Sequence, residues 1–308
     1  GLFGIVSFIL IEKRMGSAAL IPLAIFKEPT FARTQIMGFI IGIGMFGGMI
    51  VLPLIIQVVY GASPTEAGFL MLPMVAGMMT ATITSGRIMS STGKYRIFFN
   101  TGTAVMFFGY LYMLLMLDAS TPIWVISIGM IMIGLGLGQL MQTTMVASQN
   151  SVDAKDIGVA TSSATFFRQM GGTFGVAVFM SILFGQVADK IGGAFQRADV
   201  REGIAAATQD PAVLANPDNE AILGVLQGGP SAAEQITLDS SFMIGADDRL
   251  TLPFRIGFVE SSLTVFLVAI FFVAAAFVIS WFIKEIPLRD KSASQEAAES
   301  AKTAGMSH

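Results

Sequence analysis

PLAIFKEPTFARTQIMGFIIGIGMFGGMIVLPLIIQVVYGASPTEAGFLMLPM, residues 22–74, decides the fold. A polar stretch ending at Arg33 gives way to an uncharged apolar block from Thr34 to Tyr60. That block exceeds the roughly 20 residues an α-helix needs to cross a bilayer. The turn Gly61-Ala62-Ser63-Pro64-Thr65-Glu66 then reverses the chain into a second apolar block. Two long uncharged runs joined by a short turn describe a helical hairpin through a membrane.

The same grammar repeats outward. Apolar blocks span 34–60, 67–85, 97–117, 123–147, 157–187 and 256–283. Charged residues make up 13% of the 308, against roughly 25% in a soluble domain. The fold class expected is an all-α membrane protein with six spans. Residues 1–11 are apolar, lack a basic flank and a small-residue cleavage site, and read as the end of a truncated transmembrane helix. Residues 12–33 form a polar connection, and 188–255 is charged, Ala-rich and punctuated by Gly and Pro. Residues 284–308 form a polar tail, disordered from Arg289 onward.

Lys and Arg retained on the cytoplasmic side set the orientation. Lys13, Arg14, Lys27 and Arg33, then Arg87, Lys94 and Arg96, then Lys155, then Lys284, Arg289, Lys291 and Lys302 all fall on one side of the six spans. The C-terminus is therefore expected in the cytoplasm, with 188–255 outside. That long segment carries five basic and ten acidic residues and is of a length that crosses largely regardless of charge.

Several function classes drop out. A net charge of −3 and no basic patch leave no expectation of nucleic acid. There is no cysteine, and the single histidine is His308, so neither a thiolate nor an imidazole cluster is available for a metal or a triad. A membrane-embedded enzyme needs clustered acids or a nucleophile beside a base, and a channel or scaffold needs charge rings or filter motifs; the sequence displays none. No enzyme activity and no cofactor are expected.

The quoted stretch, with its Leu-Pro-Leu, Gln-Val-Val and Ser-Pro-x-Glu-Ala-Gly strings, resembles the ninth and tenth spans of the fourteen-span drug:proton antiporters of the major facilitator superfamily. FFRQMGGTFGVAV, 166–178, is similar to that family's penultimate span, and WFIKEIPLR, 281–289, to its closing cytoplasmic signature. The resemblance implies a C-terminal six-helix bundle preceded by the end of a linker helix, with the N-terminal bundle of the same polypeptide missing from this chain. It implies a multi-pass protein of the cytoplasmic membrane that exports drugs or other small amphipathic molecules against proton entry, the proton gradient being the energy source. A metabolite exporter of the same superfamily is the alternative. Residues 86–96 look like a copy of the superfamily's cytoplasmic loop motif, with Gly86, Arg87, Gly93, Lys94 and Arg96 retained and Ser90 and Ser91 at its Asp-Arg positions.

Arg168 lies about 11 residues into the span that starts near Ile157, hence roughly 17 Å deep. A mid-membrane cation faces a bundle interior or watery cavity and pairs there with a carboxylate, a carbonyl or a substrate. It is the leading candidate for the substrate or proton pathway; holding helices together through carbonyls is its structural alternative. Gln139, Gln142 and Thr143 share a helical face by spacing, and Gln57 sits near the far end of the first span. These either line the path or bond between helices. No acid lies at mid-depth, which leaves Glu260 as the candidate proton carrier in this half and gives Glu66 and Asp118 to helix ends. Glycine pairs such as Gly38/Gly42, Gly134/Gly138 and Gly171/Gly175 predict close helix crossings.

Overall fold

The computed structural model describes residues 23–220, 222–224, 243 and 245–286. The helix remnant expected at 1–11, most of the 12–33 connection, part of 188–255 and the tail beyond Ile286 lie outside them. Every regular element among the described residues is helical. After a 3-10 turn at Leu23–Lys27 come α1 (Pro29–Tyr60), α2 (Pro64–Leu70), α3 (Leu72–Thr92), α4 (Arg96–Met116), α5 (Ile123–Asn150) and α6 (Ile157–Phe195). The short α7 (Ala198–Ala207) and α8 (Pro211–Ala215) follow, and α9 (Asp248–Ser280) closes the bundle. Among the described residues six stretches are long and apolar enough to cross a membrane, α2 and α3 together making one.

Local chemistry sets the helix ends. Pro29 starts α1 at a position where a missing N–H costs nothing, and Gly61, at φ 63°, ends it in the left-handed conformation. Ser63 and Glu66 then form a reciprocal cap. The Ser63 N–H donates to Glu66 Oε2 at 2.8 Å, and the Glu66 N–H donates to Ser63 Oγ at 3.3 Å. Across the next such turn the Asp118 carboxylate accepts from the Ala119 N–H at 2.8 Å.

Helix–helix association in lipid rests on van der Waals packing, because the tails are as apolar as the side chains. The glycines supply that packing. Gly42 of α1 lies against the Arg168 carbonyl of α6, and Gly171 of α6 lies against the Phe39 backbone of α1. A second crossing places Gly134 and Gly138 of α5 on the Met74 and Met78 carbonyls of α3. Helix α1 is central, packing on α5, α6 and α9, while α5 carries α3 and α4. The Tyr110 hydroxyl of α4, fully buried, donates to the Gly44 carbonyl and ties α4 to the centre.

The end of the bundle that holds Arg33, Arg87 and Arg96 is its basic end, and there the chain beyond α9 is clamped. Arg33 donates to the Phe282 carbonyl at 2.8 Å, Arg96 to the Trp281 carbonyl at 2.9 Å, and Asn150 to the Ile286 carbonyl at 2.9 Å. These cations meet the negative end of the α9 dipole. The buried Tyr95 hydroxyl donates to the Lys284 carbonyl and accepts from the Ile286 N–H, both at 3.0 Å. Tyr95→Phe leaves both backbone groups unpaired and is expected to cost about 1–3 kcal/mol, read as a lower Tm in detergent.

At the opposite end, the described part of segment 188–255 is largely helical. Helix α6 has 39 residues, roughly 58 Å, against a bilayer core of about 30 Å, so it continues beyond any apolar slab. With α7, α8 and the start of α9 it builds a cap on two small apolar clusters, one around Val200 and Ile256 and one around Ile222 and Leu250. Alternating Ala and polar residues hide these amphipathic turns from a hydropathy reading. Arg249 ties the cap together, donating to Asp247 at 2.9 Å and to Asp210 at 3.2 Å.

The hydrogen bond from Arg249 holds the Asp247 carboxyl below the usual carboxylate range. Its stabilising contribution is therefore complete above the unfolded value near 3.9 and is lost as pH falls through its lower folded value. Limited proteolysis at decreasing pH is expected to open the cap in that acid window. Asp247→Asn is expected to remove this component of the pH dependence.

Candidate functional site

Arg168 stands where the glycine crossing holds its main chain against α1, and its side chain leaves that contact toward α3 and α5. It reaches a hollow of about 340 Å³. Four methionines form the apolar wall, Met78 and Met79 from α3 and Met141 and Met145 from α5; Thr82 and Gln142 are its other polar members. A second hollow, of about 570 Å³, shares Thr82, Ile83 and Gln142 with the first. It runs toward the basic end past Gly86 and Arg87 to Ser90 and Ser91. The two adjoining hollows make one recess, about four turns of α3 long, with Arg168 lining one hollow and Arg87 the other.

The wall is shaped by residues one helical turn apart. Met78, Thr82 and Gly86 follow at four-residue spacing on α3. The Thr82 hydroxyl donates to the Met78 carbonyl at 2.8 Å and reaches the Gly138 carbonyl at 3.2 Å, closing α3 onto α5. Gly86 presents no side chain, and the Gln142 amide lies across it at 3.5 Å from where a Cβ would stand. Met78, Met79 and Thr82 were not singled out in the sequence: Met78 and Thr82 share a face with Gly86 by spacing, but spacing alone does not say which face turns inward.

The sequence-predicted residues separate. Arg168, Gln142, Gly86 and Arg87 meet in the recess. Gln139 does not join Gln142: its amide oxygen accepts from Thr101 of α4 at 2.7 Å, and its amide nitrogen donates to the Leu135 carbonyl at 3.3 Å. Gln57 donates to the Pro53 carbonyl of its own helix at 3.2 Å, near the cap end. Gly93, at φ 71°, ends α3; Lys94 follows it, exposed, and Arg96 belongs to the α9 clamp. Glu260 pairs with Lys190 of α6 at 3.4 Å, more than a turn inside the cap end of α9 and away from the recess.

Charge in the recess is one-sided. Among the described residues the ion pairs involve neither Arg168 nor Arg87. No Asp or Glu occurs in 29–60, 72–116, 123–150, 157–188 or 261–284. Among the described residues no group of His, Cys, Asp and Glu is placed to hold a metal ion. The arrangement offers a ligand shape, polarisable surface and positive charge, and among the described residues that line it no nucleophile stands beside a base.

Comparison with known proteins fits this geometry. Residues 9–176 match the family model of the Major Facilitator Superfamily. The chain belongs to that superfamily. It is 30% identical over 306 residues to a tetracycline resistance determinant of Streptomyces rimosus, covering 99% of this chain and 86% of that protein. It is 32% identical over 309 residues to the multidrug transporter protein MdtP of Bacillus subtilis, covering 98% of this chain and 54% of MdtP. In fold it is similar to a bacterial homolog of the human lysosomal transporter Spinster in an inward-facing, unoccupied conformation. There the TM-score is 0.54 at 14% identity, over 85% of this chain and 50% of that one. The chain thus spans about half the length of MdtP and of the Spinster homolog. As a superfamily member it is a multi-pass membrane protein of a transporter family, and its all-helical bundle is the corresponding fold.

Proposed function

We propose that this chain is the C-terminal six-helix bundle of a fourteen-span antiporter that exports drugs or other small amphipathic molecules in exchange for protons. The observation that carries the reading is Arg168, an intramembrane cation aimed into a methionine-lined hollow between α3, α5 and α6. The names of the Streptomyces and Bacillus relatives support efflux as the direction of transport. The bundle is seated in the cytoplasmic membrane with its basic end and C-terminus inside, in keeping with the positive-inside rule.

In this reading the N-terminal bundle of the same polypeptide packs over the recess side of α3, α5 and α6. Rocking of the two bundles exposes the Arg168 hollow to one side and then the other. The glycine crossings keep this half rigid while it moves. The principal proton-carrying carboxylate lies in the other bundle. Glu260, paired with Lys190 near the cap end, serves at most as a station on the outer side.

The test is proton-driven efflux of a fluorescent amphipathic dye from everted vesicles carrying the complete gene product. Dye movement is expected to stop when a protonophore collapses the gradient. At equal expression, Arg168→Ala is expected to leave less than about a tenth of the parental rate, the scale of a lost buried charge contact. Unaltered efflux in that variant makes Arg168 a packing residue, and protonophore-insensitive efflux removes proton coupling.

A further inference from the structure

The recess selects for charge as well as for size, and its chemistry identifies the class of cargo. Arg168 lines one hollow and Arg87 the other, and no Asp or Glu occurs in 72–116, 123–150, 157–188 or 261–284; toward the cap end stand Asp189 on α6 and, on α9, Glu260. That acid is already held by Lys190. A lipophilic cation in the hollow would meet the Arg168 guanidinium, a like charge, and find no counter-charge on this wall. An anion there meets a planar five-donor fork on Arg168, matched to two oxygens at once.

The rest of the wall describes the body of the ligand. Met78, Met79, Met141 and Met145 present flexible, polarisable thioethers, which pack well on aromatic faces and adapt to varied outlines. The Gln142 amide and the Thr82 hydroxyl, between the two charges, offer hydrogen bonds to further oxygens. A volume of about 340 Å³ lies at the small end of the range for drug-sized ligands.

We infer that this site binds amphipathic organic anions, with an aromatic or fused-ring body against the four methionines and a carboxylate, phenolate or enolate on the Arg168 guanidinium. The inference rests on the proposal that the recess is a substrate path and adds its charge preference. Arg87 acts at the mouth, raising the local concentration of anions at the basic end.

The test uses a matched pair of xanthene dyes, one carboxylated and anionic, the other its cationic rhodamine counterpart, with the complete gene product. Equilibrium binding to the detergent-purified protein is read by fluorescence anisotropy, and energised efflux is read separately in everted vesicles. The parent is expected to bind the anionic dye at least about tenfold more tightly than the cation. Arg168→Gln is expected to erase that preference by weakening anion binding while cation binding holds or improves, and Arg168→Lys to recover part of it. Equal binding of both dyes by the parent, a preference for the cation, binding of neither, or equal losses for both in Arg168→Gln would each overturn the inference. Arg168-dependent anion binding without energised efflux leaves it standing and removes the export reading instead.

Discussion

Gly171→Val is expected to eliminate folded protein from the membrane fraction, whereas Gly185→Val, nearly four helical turns along the same helix, is expected to be silent. At Gly171 a Cβ would overlap the Phe39 carbonyl oxygen and lie within 3 Å of its neighbouring backbone atoms. A side-chain clash is relieved by a rotamer change, typically at 1–3 kcal/mol. Here the obstacle is the main chain of α1, so the two helices must separate, and the packing around Gly42 and Gly175 is lost with them. At Gly185 nothing stands within 4 Å of the added carbon. Size-exclusion profiles of fluorescent fusions in mild detergent read both outcomes. A monodisperse Gly171→Val peak equal to the parent would show that α1 and α6 do not cross where described.

The second large effect is functional. Gly86→Leu is expected to give a protein with a parental elution profile and a dye efflux rate reduced by about an order of magnitude or more. Gly86 is the point at which the wall of the recess falls back, and the Gln142 side chain lies across it. A leucine there fills space between Arg87 and Arg168 and displaces the Gln142 side chain, whose atoms are the nearest to its Cβ. A drop in efflux with unchanged folding identifies the recess as the route. Parental efflux in Gly86→Leu would place the route elsewhere.

The six spans were legible because each apolar block is long, uncharged and bounded by polar turns whose capping residues are visible as Ser63, Glu66 and Asp118. The glycine pairs at the two crossings were legible from their spacing alone. The faces of the helices were not. On a uniformly apolar helix no polar stripe marks the inward side, so only the fold reveals that α3 turns Met78, Thr82 and Gly86 into the recess. Gln139 and Gln142 are adjacent by spacing, yet a rotation of 60° is enough to give the first to Thr101 and the second to the recess. Arg96 read as part of a loop motif because its partner, the Trp281 carbonyl, is a backbone atom 185 positions away that no pattern announces. Glu260 stood alone in the sequence for the same reason, its partner Lys190 lying on a different helix.

The clamp at the basic end also imposes an order on biosynthesis. Arg33 and Phe282 are separated by 249 positions, Tyr95 and Ile286 by 191. Every side chain of the clamp enters the membrane before the carbonyls it grips have been translated. A ribosome that stops short of Trp281 therefore releases spans whose cationic ends have nothing to close upon, and synthesis through Ile286 supplies the carbonyls that close them. Synthesis of 281–286 and closure of the clamp thereby become one step, and a reporter joined after Ile286 follows the last gripped residue.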